Sequence, residues 1–390
     1  MKTSRMTLFF ALAMTIWFGG HALVSWRIAS AFPDRRIALG VALVFAVLAI
    51  AWPFVIGWLR TAELSPLVER ARLFAWLYFG FFSVLIVAVL AKDALLLLVG
   101  LVDRVSPGDP LSPERRDWFR QVGSVGALGV TTAATAAAWR GGTRLAPVIE
   151  VEVPIEGLDP RLDGFTIAQV SDVHIGQPLT KYDLERIVVR TNAIGADLIA
   201  LTGDLVDGRV SQLVSEIDPI ADFSAPHGVF FVTGNHEYYS GAKEWEREVA
   251  ARGVRVLTNE HDVLTVAGAP FVVAGVTDYT AGQFIPEDAS DPVKALAGAP
   301  EDAFRLLLAH QPKSVPAAVE ARASLQLSGH THGGQYAPFS WIIDRFHPVT
   351  SGLSKYEGVW VYVSRGTGVW GPPMRLGAPN EITKLTLRAV

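Results

Sequence analysis

The sequence predicts an α/β domain, two sheets packed face to face with helices outside, preceded by an all-α transmembrane bundle. Three observations carry this reading. Half of the 390 residues are hydrophobic, but the long apolar runs are confined to residues 1–140, while residues 147–390 have the balance of an ordinary globular chain. Beyond residue 162, short apolar runs alternate first with helical periodicity, as in βα units, and then mainly with one another. Nearly every cluster of Asp, Asn and His lies just past the end of such a run, at the edge where α/β sheets bind ligands.

In chain order, residues 7–26, 37–59 and 73–102 approach or exceed the ~20 apolar residues that cross a bilayer. Trp17, Trp26, Trp52, Trp58 and Trp76 lie in or near them, as an aromatic belt requires. The third run is too long for a simple span, ~45 Å at ~1.5 Å per residue against a core of ~30 Å. Lys92 and Asp93 interrupt it, and the expectation is that they sit near one interface with the helix continuing beyond. No second intramembrane charge is expected to answer them.

The fourth segment, 121–138, is rich in Gly, Ala and Thr and follows Arg115-Arg116-Asp117-Trp118-Phe119-Arg120. That arrangement resembles a twin-arginine export signal. The plainer reading is a small-residue helix with Arg115 and Arg116 as cytoplasmic anchors. Both place 103–120 in the cytoplasm and the C-terminal domain outside the cytoplasmic membrane. Lys and Arg do not decide orientation, since a four-span topology puts seven on each side. Ala134-Thr135-Ala136 has the composition of a cleavage site, but the expectation is a retained, multi-pass anchor.

Residues 141–162, with Arg, Gly and Pro and little periodicity, read as a linker, and 163–390 as the globular domain. Strands are expected at 165–170, 197–201 and 228–232. Later ones are expected at about 254–257, 263–266, 271–276, 304–309, 324–328, 359–364 and 381–387. Helices are expected at 182–194, from Leu184, Ile187, Val188 and Thr191 at helical spacing, and across 211–222.

There are no cysteines, which excludes disulfides, thiolate ligands and a cysteine nucleophile. A metal site must then use nitrogen and oxygen ligands, which suit Mn, Fe, Zn or Mg. The net charge of −4 supplies no basic field for nucleic acid, so no nucleic-acid binding is expected. No obligate protein partner is predicted.

Five of the nine histidines fall in the polar clusters. Asp172 and His174 are two apart, so on an extended backbone both face one side. In Gly203-Asp204-Leu205-Val206-Asp207, Asp204 can offer one oxygen to each of two metals, and Asp207 can orient a neighbouring histidine. Gly234 lets the chain turn sharply before Asn235 and His236, and an amide oxygen suits a hard metal. His310 ends an apolar run. His330 and His332, again two apart, sit in a glycine-flanked loop. Taken singly, each cluster is as well explained by a turn, a cap or a core histidine. Five in this order, each after a strand, point to a two-metal site.

The series Asp-x-His, Gly-Asp-x-x-Asp, Gly-Asn-His-Glu, His, Gly-His-x-His resembles the calcineurin-like metallophosphoesterase superfamily over about 160–390. Ser328-Gly329-His330-Thr331-His332-Gly333-Gly334-Gln335, with Tyr362–Gly368, Arg375-Leu376-Gly377 and Asn380-Glu381-Ile382-Thr383, is similar to its bacterial membrane-associated or exported branch. The resemblance implies a four-layer α/β/β/α sandwich and two divalent metal ions, of Mn, Fe, Zn or mixed identity. It implies that Asp172, His174 and His332 hold one metal, that Asn235, His310 and His330 hold the other, and that Asp204 bridges them. His236 would face the leaving group, with Asp207 holding its imidazole. The implied reaction is hydrolysis of a phosphodiester, a lipid or envelope diester above all, by a metal-bridging hydroxide. The alternatives are a phosphomonoesterase, an intracellular enzyme acting on cyclic nucleotides or nucleic acid, and a non-catalytic metal-binding regulatory or scaffold domain of a membrane protein. Asn259 and Asp278 read as turn residues, Arg209 and Arg365 as candidate phosphate contacts or structural residues, and His227, His261 and His347 as surface.

Overall fold

The computed structural model describes residues 2–59, 65–105, 112–176 and 178–390. These form two compact units, Met1–Ala137 and Ala138–Val390.

The first unit contains α1 (Lys2–Ala29), α2 (Arg35–Leu59), α3 (Pro66–Val105) and most of α4 (Pro113–Gly142). Among the described residues, α2, α3 and α4 are long and apolar enough to cross a membrane. Trp17, Val24, Phe45 and Leu85 are buried inside this unit, while Leu39, Phe54 and Leu97 are equally apolar and exposed. A helix apolar all round requires a non-aqueous surrounding. Trp26 and Trp58 are exposed as a belt requires, but Trp17 is not a belt residue. Its indole donates to Ala49 O (2.9 Å), and that of Trp52 donates to Ala75 O (2.8 Å), so both tie helices together.

α3 runs unbroken through Lys92 and Asp93, and their charges are answered. Asp93 lies 2.8 Å from Arg27 Nε and 3.2 Å from Lys92 Nζ, and Lys92 donates to Ser124 Oγ (3.3 Å). Arg27 is remote in the chain, so no local pattern reveals the pairing. Of the expected cytoplasmic stretch 103–120, residues 106–111 lie outside the described residues. Arg115 and Arg116 fall in the first turn of α4, with Arg116 paired to Asp103 (3.0 Å).

The second unit is built on two six-stranded sheets. One has the order β1-β12-β2-β3-β4-β5, from β1 (Val148–Ile155), β12 (Ile382–Ala389), β2 (Thr166–Val170), β3 (Leu198–Leu201), β4 (Val229–Phe231) and β5 (Arg255–Val256). The other has the order β10-β11-β9-β8-β7-β6, from β10 (Gly352–Tyr356), β11 (Val359–Val363), β9 (Leu325–Ser328), β8 (Phe304–Leu308), β7 (Ala269–Gly275) and β6 (Glu260–Val266). β2 to β5 are parallel, and so are β7, β8, β9 and β11. A core of Ile167, Leu198, Phe230, Phe271, Leu306, Leu327 and Leu385 joins the two sheets face to face. A second core packs α5 (Lys181–Asn192), α6 (Val210–Leu213) and α8 (Ala242–Ala250) on the first sheet, and a third packs α9 (Pro292–Leu296) and α10 (Val315–Glu320) on the other. The short α7 (Asn235–Ser240) follows β4. The result is four layers, α/β/β/α.

Two expectations fail locally. The stretch 141–162 is not a plain linker: α4 extends to Gly142, and β1 pairs in parallel with β12 from Val148↔Ile382 to Ile155↔Ala389. Val148–Ile155 does alternate apolar and acidic residues, but Pro154 obscures the signal. An edge strand tolerates that proline because one of its edges has no strand to pair with. The helix expected across 211–222 is only α6 followed by a 3₁₀ turn at Asp218–Asp222, since Pro219 has no N–H to continue a helix.

Candidate active site

Each polar cluster follows the C-terminal end of a parallel strand. Asp172 and His174 follow β2, Asp204 and Asp207 follow β3, and Asn235 and His236 follow β4, all from one sheet. His310 follows β8, and His330 and His332 follow β9, from the other sheet. All nine residues singled out in the sequence therefore gather where the C-terminal edges of the two sheets meet.

The backbone there is strained. Asp172, His174, Asp204, His330 and His332 have φ of 53°, 56°, 51°, 70° and 52°, in the left-handed region. Each such non-glycine residue costs on the order of 1–3 kcal/mol, and such strain clusters at functional sites. Close approach is arranged by glycine. A Cβ on Gly329 would collide with the Asp172 carboxylate, and one on Gly234 with that of Asp204.

Three groups of candidate ligands result; in one of them, His174, Asp207 and His236, the Asp207 carboxylate is already held by both imidazoles, and the other two flank Asp204. Ligand atoms of Asp172, His174 and His332 lie within 4.8 Å of one another, as do those of Asp204, His310 and His330. His174 Nε2 and His332 Nε2 are 3.1 Å apart, and Asp172 Oδ1 is 3.3 Å from His332 Nε2. Asp204 Oδ2 stands between the groups, 3.1 Å from His310 Nε2 and 3.8 Å from His174 Nε2. Asn235 Oδ1 is buried and makes no hydrogen bond among the described residues. His310 Nδ1 donates to Thr202 O (2.8 Å), which turns Nε2 toward Asp204 Oδ2; burial opposes its charge, but Asp204 raises it well above the ordinary imidazole value, so a metal there would displace the Nε2 proton. Imidazole nitrogens facing each other and an unpaired amide oxygen suit bound cations, so the donor set fits divalent metals.

The electrostatics agree. Burial works against the charged forms of Asp172, Asp204 and Asp207, but neighbouring histidines outweigh it and hold all three below the usual carboxylate range. Burial drives His330 down to about 3 and His332 to about 4, so both stay neutral with lone pairs available. His236 differs. Burial alone would lower it, but Asp204 and Asp207 raise it to about 9. Its Nδ1 is held against Asp207 Oδ1, and its Nε2 is 4.0 Å from Asp204 Oδ2. Asp207 also takes His174 Nδ1 (2.9 Å), so it orients two histidines rather than one.

Sequence reasoning missed several supports. The buried Glu237 carboxylate accepts from the N–H of Asp204 (3.0 Å), Leu205 (2.8 Å), Val206 (3.3 Å) and Gly234 (2.6 Å). Only its place next to His236 pointed to it. Buried Arg375 donates to the carbonyls of His332, Arg365 and Gly368. Arg365 is bound to buried Glu381 (Nε to Oε2 2.6 Å), which makes it a structural residue. Asn259 and Asp278 are turn residues: Asn259 bonds Ala289 O and Asp291 N–H, and Asp278 bonds Thr280 and Gln311. His347 is not a plain surface residue. It is half-buried, with its ring 5.3 Å from that of His330. Tyr239 and Trp370 flank the His236 ring at 5.1 and 6.0 Å.

The calcineurin-like phosphoesterase family profile matches residues 165–334. A transmembrane protein with metallophosphoesterase domain from Danio rerio is 35% identical over 255 residues, covering 62% of this chain and 57% of that protein. The chain therefore spans a little over half the length of that relative. A metallophosphoesterase of Aquifex aeolicus is 32% identical over 232 residues, covering 59% of this chain and 87% of its own. Among solved structures, the 5'-nucleotidase precursor of Thermus thermophilus is similar at 16% identity and a TM-score of 0.37, covering 57% of this chain and 54% of that one. With its order of strand-end clusters, the family profile and the similarity to the Aquifex aeolicus relative, the chain belongs to the calcineurin-like metallophosphoesterase family, preceded by helices apolar enough to span a membrane.

Proposed function

We propose that this protein is a membrane-anchored phosphoesterase that hydrolyses a phosphodiester with two divalent metals. Asp172, His174 and His332 would hold one metal, Asn235, His310 and His330 the other, and Asp204 both. The observation that carries the reading is the Asp204 carboxylate, set between two ligand groups with a protonatable histidine outside both. When bound, a metal pair lowers the pKa of water towards ~7 and offsets charge on the phosphoryl oxygens.

The chain's own contribution is acid catalysis and positioning. His236, charged at neutral pH, is placed to give its Nε2 proton to the departing alkoxide oxygen. Asp207 accepts from Nδ1, which fixes the ring and sustains its positive charge. Tyr239 and Trp370 restrict the ring from two sides. The preferred substrate is a diester of the lipid or cell-envelope class, and the domain faces outside the cytoplasmic membrane. That orientation is supported by the resemblance of Arg115–Arg120 to an export signal.

The test is hydrolysis of bis(p-nitrophenyl) phosphate by the full chain with Mn²⁺, Zn²⁺ or Fe²⁺, with Asp204→Asn as control. Turnover is expected with at least one metal, and the variant should lose both metal and activity. Inertness with every metal refutes the proposal, and a preference for the monoester converts it to a phosphatase. Protection of the domain from protease added to intact spheroplasts would overturn the outward orientation.

A further inference from the structure

The site has an apolar rim of which the proposed chemistry uses only Trp370. Between Pro338 and His347, Phe339, Trp341, Ile342 and Phe346 are all exposed, Trp341 at 62% and Phe346 at 60%. Single exposed hydrophobics are ordinary, but four within eight residues beside a polar site are not. The segment is held in place rather than loose. Phe339 packs edge-on against buried Tyr336 (5.4 Å), and the Asp344 carboxylate is taken by Thr350 Oγ1 (2.6 Å). His347, at its end, meets His330.

A second loop continues the rim. The Gln335 side chain accepts from Trp370 N–H (2.8 Å) and donates to Trp370 O (2.8 Å), and Leu376 N–H donates to Gln335 O (2.9 Å). Trp370 and Leu376 are themselves exposed. This second loop is built onto the end of α4. Arg375 N–H donates to Ala138 O (2.8 Å), and a Cβ on Gly142 would collide with the Pro373 carbonyl. The helix that ends there is apolar enough to cross a membrane.

We infer that the rim formed by Phe339–Phe346, Trp370 and Leu376 seats the active site on the surface of the bilayer that anchors the chain. The occupant is lipid for three reasons. The exposed groups are Trp, Phe, Ile and Leu, the types that settle at the boundary of headgroups and acyl chains. Exposed Arg345 lies within the segment and the charge of exposed Lys313 acts on His347 at its end, and both suit phosphate headgroups. The scaffold of the second loop is the last turn of a candidate span, so the rim starts within a few residues of the apolar stretch 121–138. This seating rests on the helices crossing a bilayer and is independent of the metal chemistry.

The chain has no cysteine, so single-cysteine variants take a nitroxide label at one site. Trp341→Cys, Phe346→Cys and, as control, Val189→Cys on exposed α5 are reconstituted as full chains in phosphatidylethanolamine/phosphatidylglycerol vesicles. Collision with oxygen and with a nickel chelate is then read by electron paramagnetic resonance. Labels at 341 and 346 are expected ~5–10 Å below the headgroup plane, with the label at 189 in water. Labels at 341 and 346 as open to nickel chelate as the control overturn the inference. Exclusion of both reagents also overturns it, in favour of a protein partner or a second copy. Turnover of bis(p-nitrophenyl) phosphate by the same samples separates the two readings. Hydrolysis with labels in water sinks only the seating, and labels in lipid without hydrolysis by any metal sink only the phosphoesterase.

Discussion

Replacing His236 by alanine separates the roles its position allows. The ring belongs to neither of the ligand groups that flank Asp204, stands 4.0 Å from Asp204 Oδ2 and is held by Asp207. Burial opposes its charge, but the two carboxylates raise it to about 9. Two units above neutrality leave it about 99% protonated at pH 7. Loss of a positioned proton donor costs ~10²–10⁴-fold in rate, or ~3–5 kcal/mol of barrier. That loss should appear in kcat/KM for a diester with an alkyl leaving group, which needs the proton. It should be at least ~10-fold smaller for a p-nitrophenyl diester, whose leaving group departs without one. Metal content should stay at the wild-type value. In the wild type, the rate on the alkyl ester should fall as pH rises through the His236 pKa. Metals bound as proposed on Asp204 would withdraw part of the field that raises it, so the fall is expected at or below about 9, and the variant should lack it. Equal losses on both esters, or loss of metal, would refute the assignment of His236 as proton donor outside the metal shell.

Three further outcomes are expected. Gly234→Ala forces a methyl group against the Asp204 carboxylate, so metal affinity by calorimetry should fall ~10–100-fold, and unchanged affinity counts against Asp204 as a ligand. Glu237→Gln turns an amide NH₂ toward backbone N–H groups that now donate to a carboxylate. It should cost ~2–3 kcal/mol and lower Tm by roughly 4–12 °C, and an unchanged Tm would remove Glu237 from the scaffold. In metal-free protein, His330 and His332 titrate near 3 and 4, below their value of 6.5 in the unfolded chain. The unfolded state therefore binds more protons as pH falls below 6.5, and stability drops. His236, raised to about 9, does the opposite: its stabilisation is full below 6.5 and lost as pH rises through about 9. Thermal scans after chelation should thus peak near pH 6.5, whereas a profile flat from pH 5 to 9 contradicts these shifts.

What the sequence disclosed and what it hid follow a physical division. Candidate metal ligands are few in kind and each follows a strand, so Asp172, Asp204, Asn235, His310 and His330 stood out together, by their order along the chain, though none did singly. The two-sheet architecture was legible for a related reason, since strands buried on both faces, such as Leu198–Leu201 and most of Ala269–Gly275, read as continuous apolar runs. Edge strands are half solvated and carry mixed residues, which is why Val148–Ile155 and Gly352–Tyr356 went unseen. Pairings between residues remote in the chain leave no local mark. Arg27 with Asp93, and Asp207 with His174, became visible only when the elements were folded together, whereas Asp207 with His236 is already implied by the family resemblance.

The same division explains how the site holds its strain. Five left-handed residues at one sheet edge must be over-determined by their surroundings. Two buried carboxylates outside the ligand groups supply that. Glu237 gathers backbone N–H groups from the loops after β3 and β4, fixing Asp204 beside Gly234. Glu381 holds Arg365 and the Tyr362 hydroxyl (2.7 Å), and Arg375 ties the Arg365 carbonyl to that of His332. Each sheet thus has its own internal anchor, and the candidate ligands of both meet across Asp204. A substitution at an anchor should therefore loosen ligands it never touches. A motif of ligands alone does not make this site, because the acidic residues that keep the ligands in strained positions are chosen by the tertiary fold.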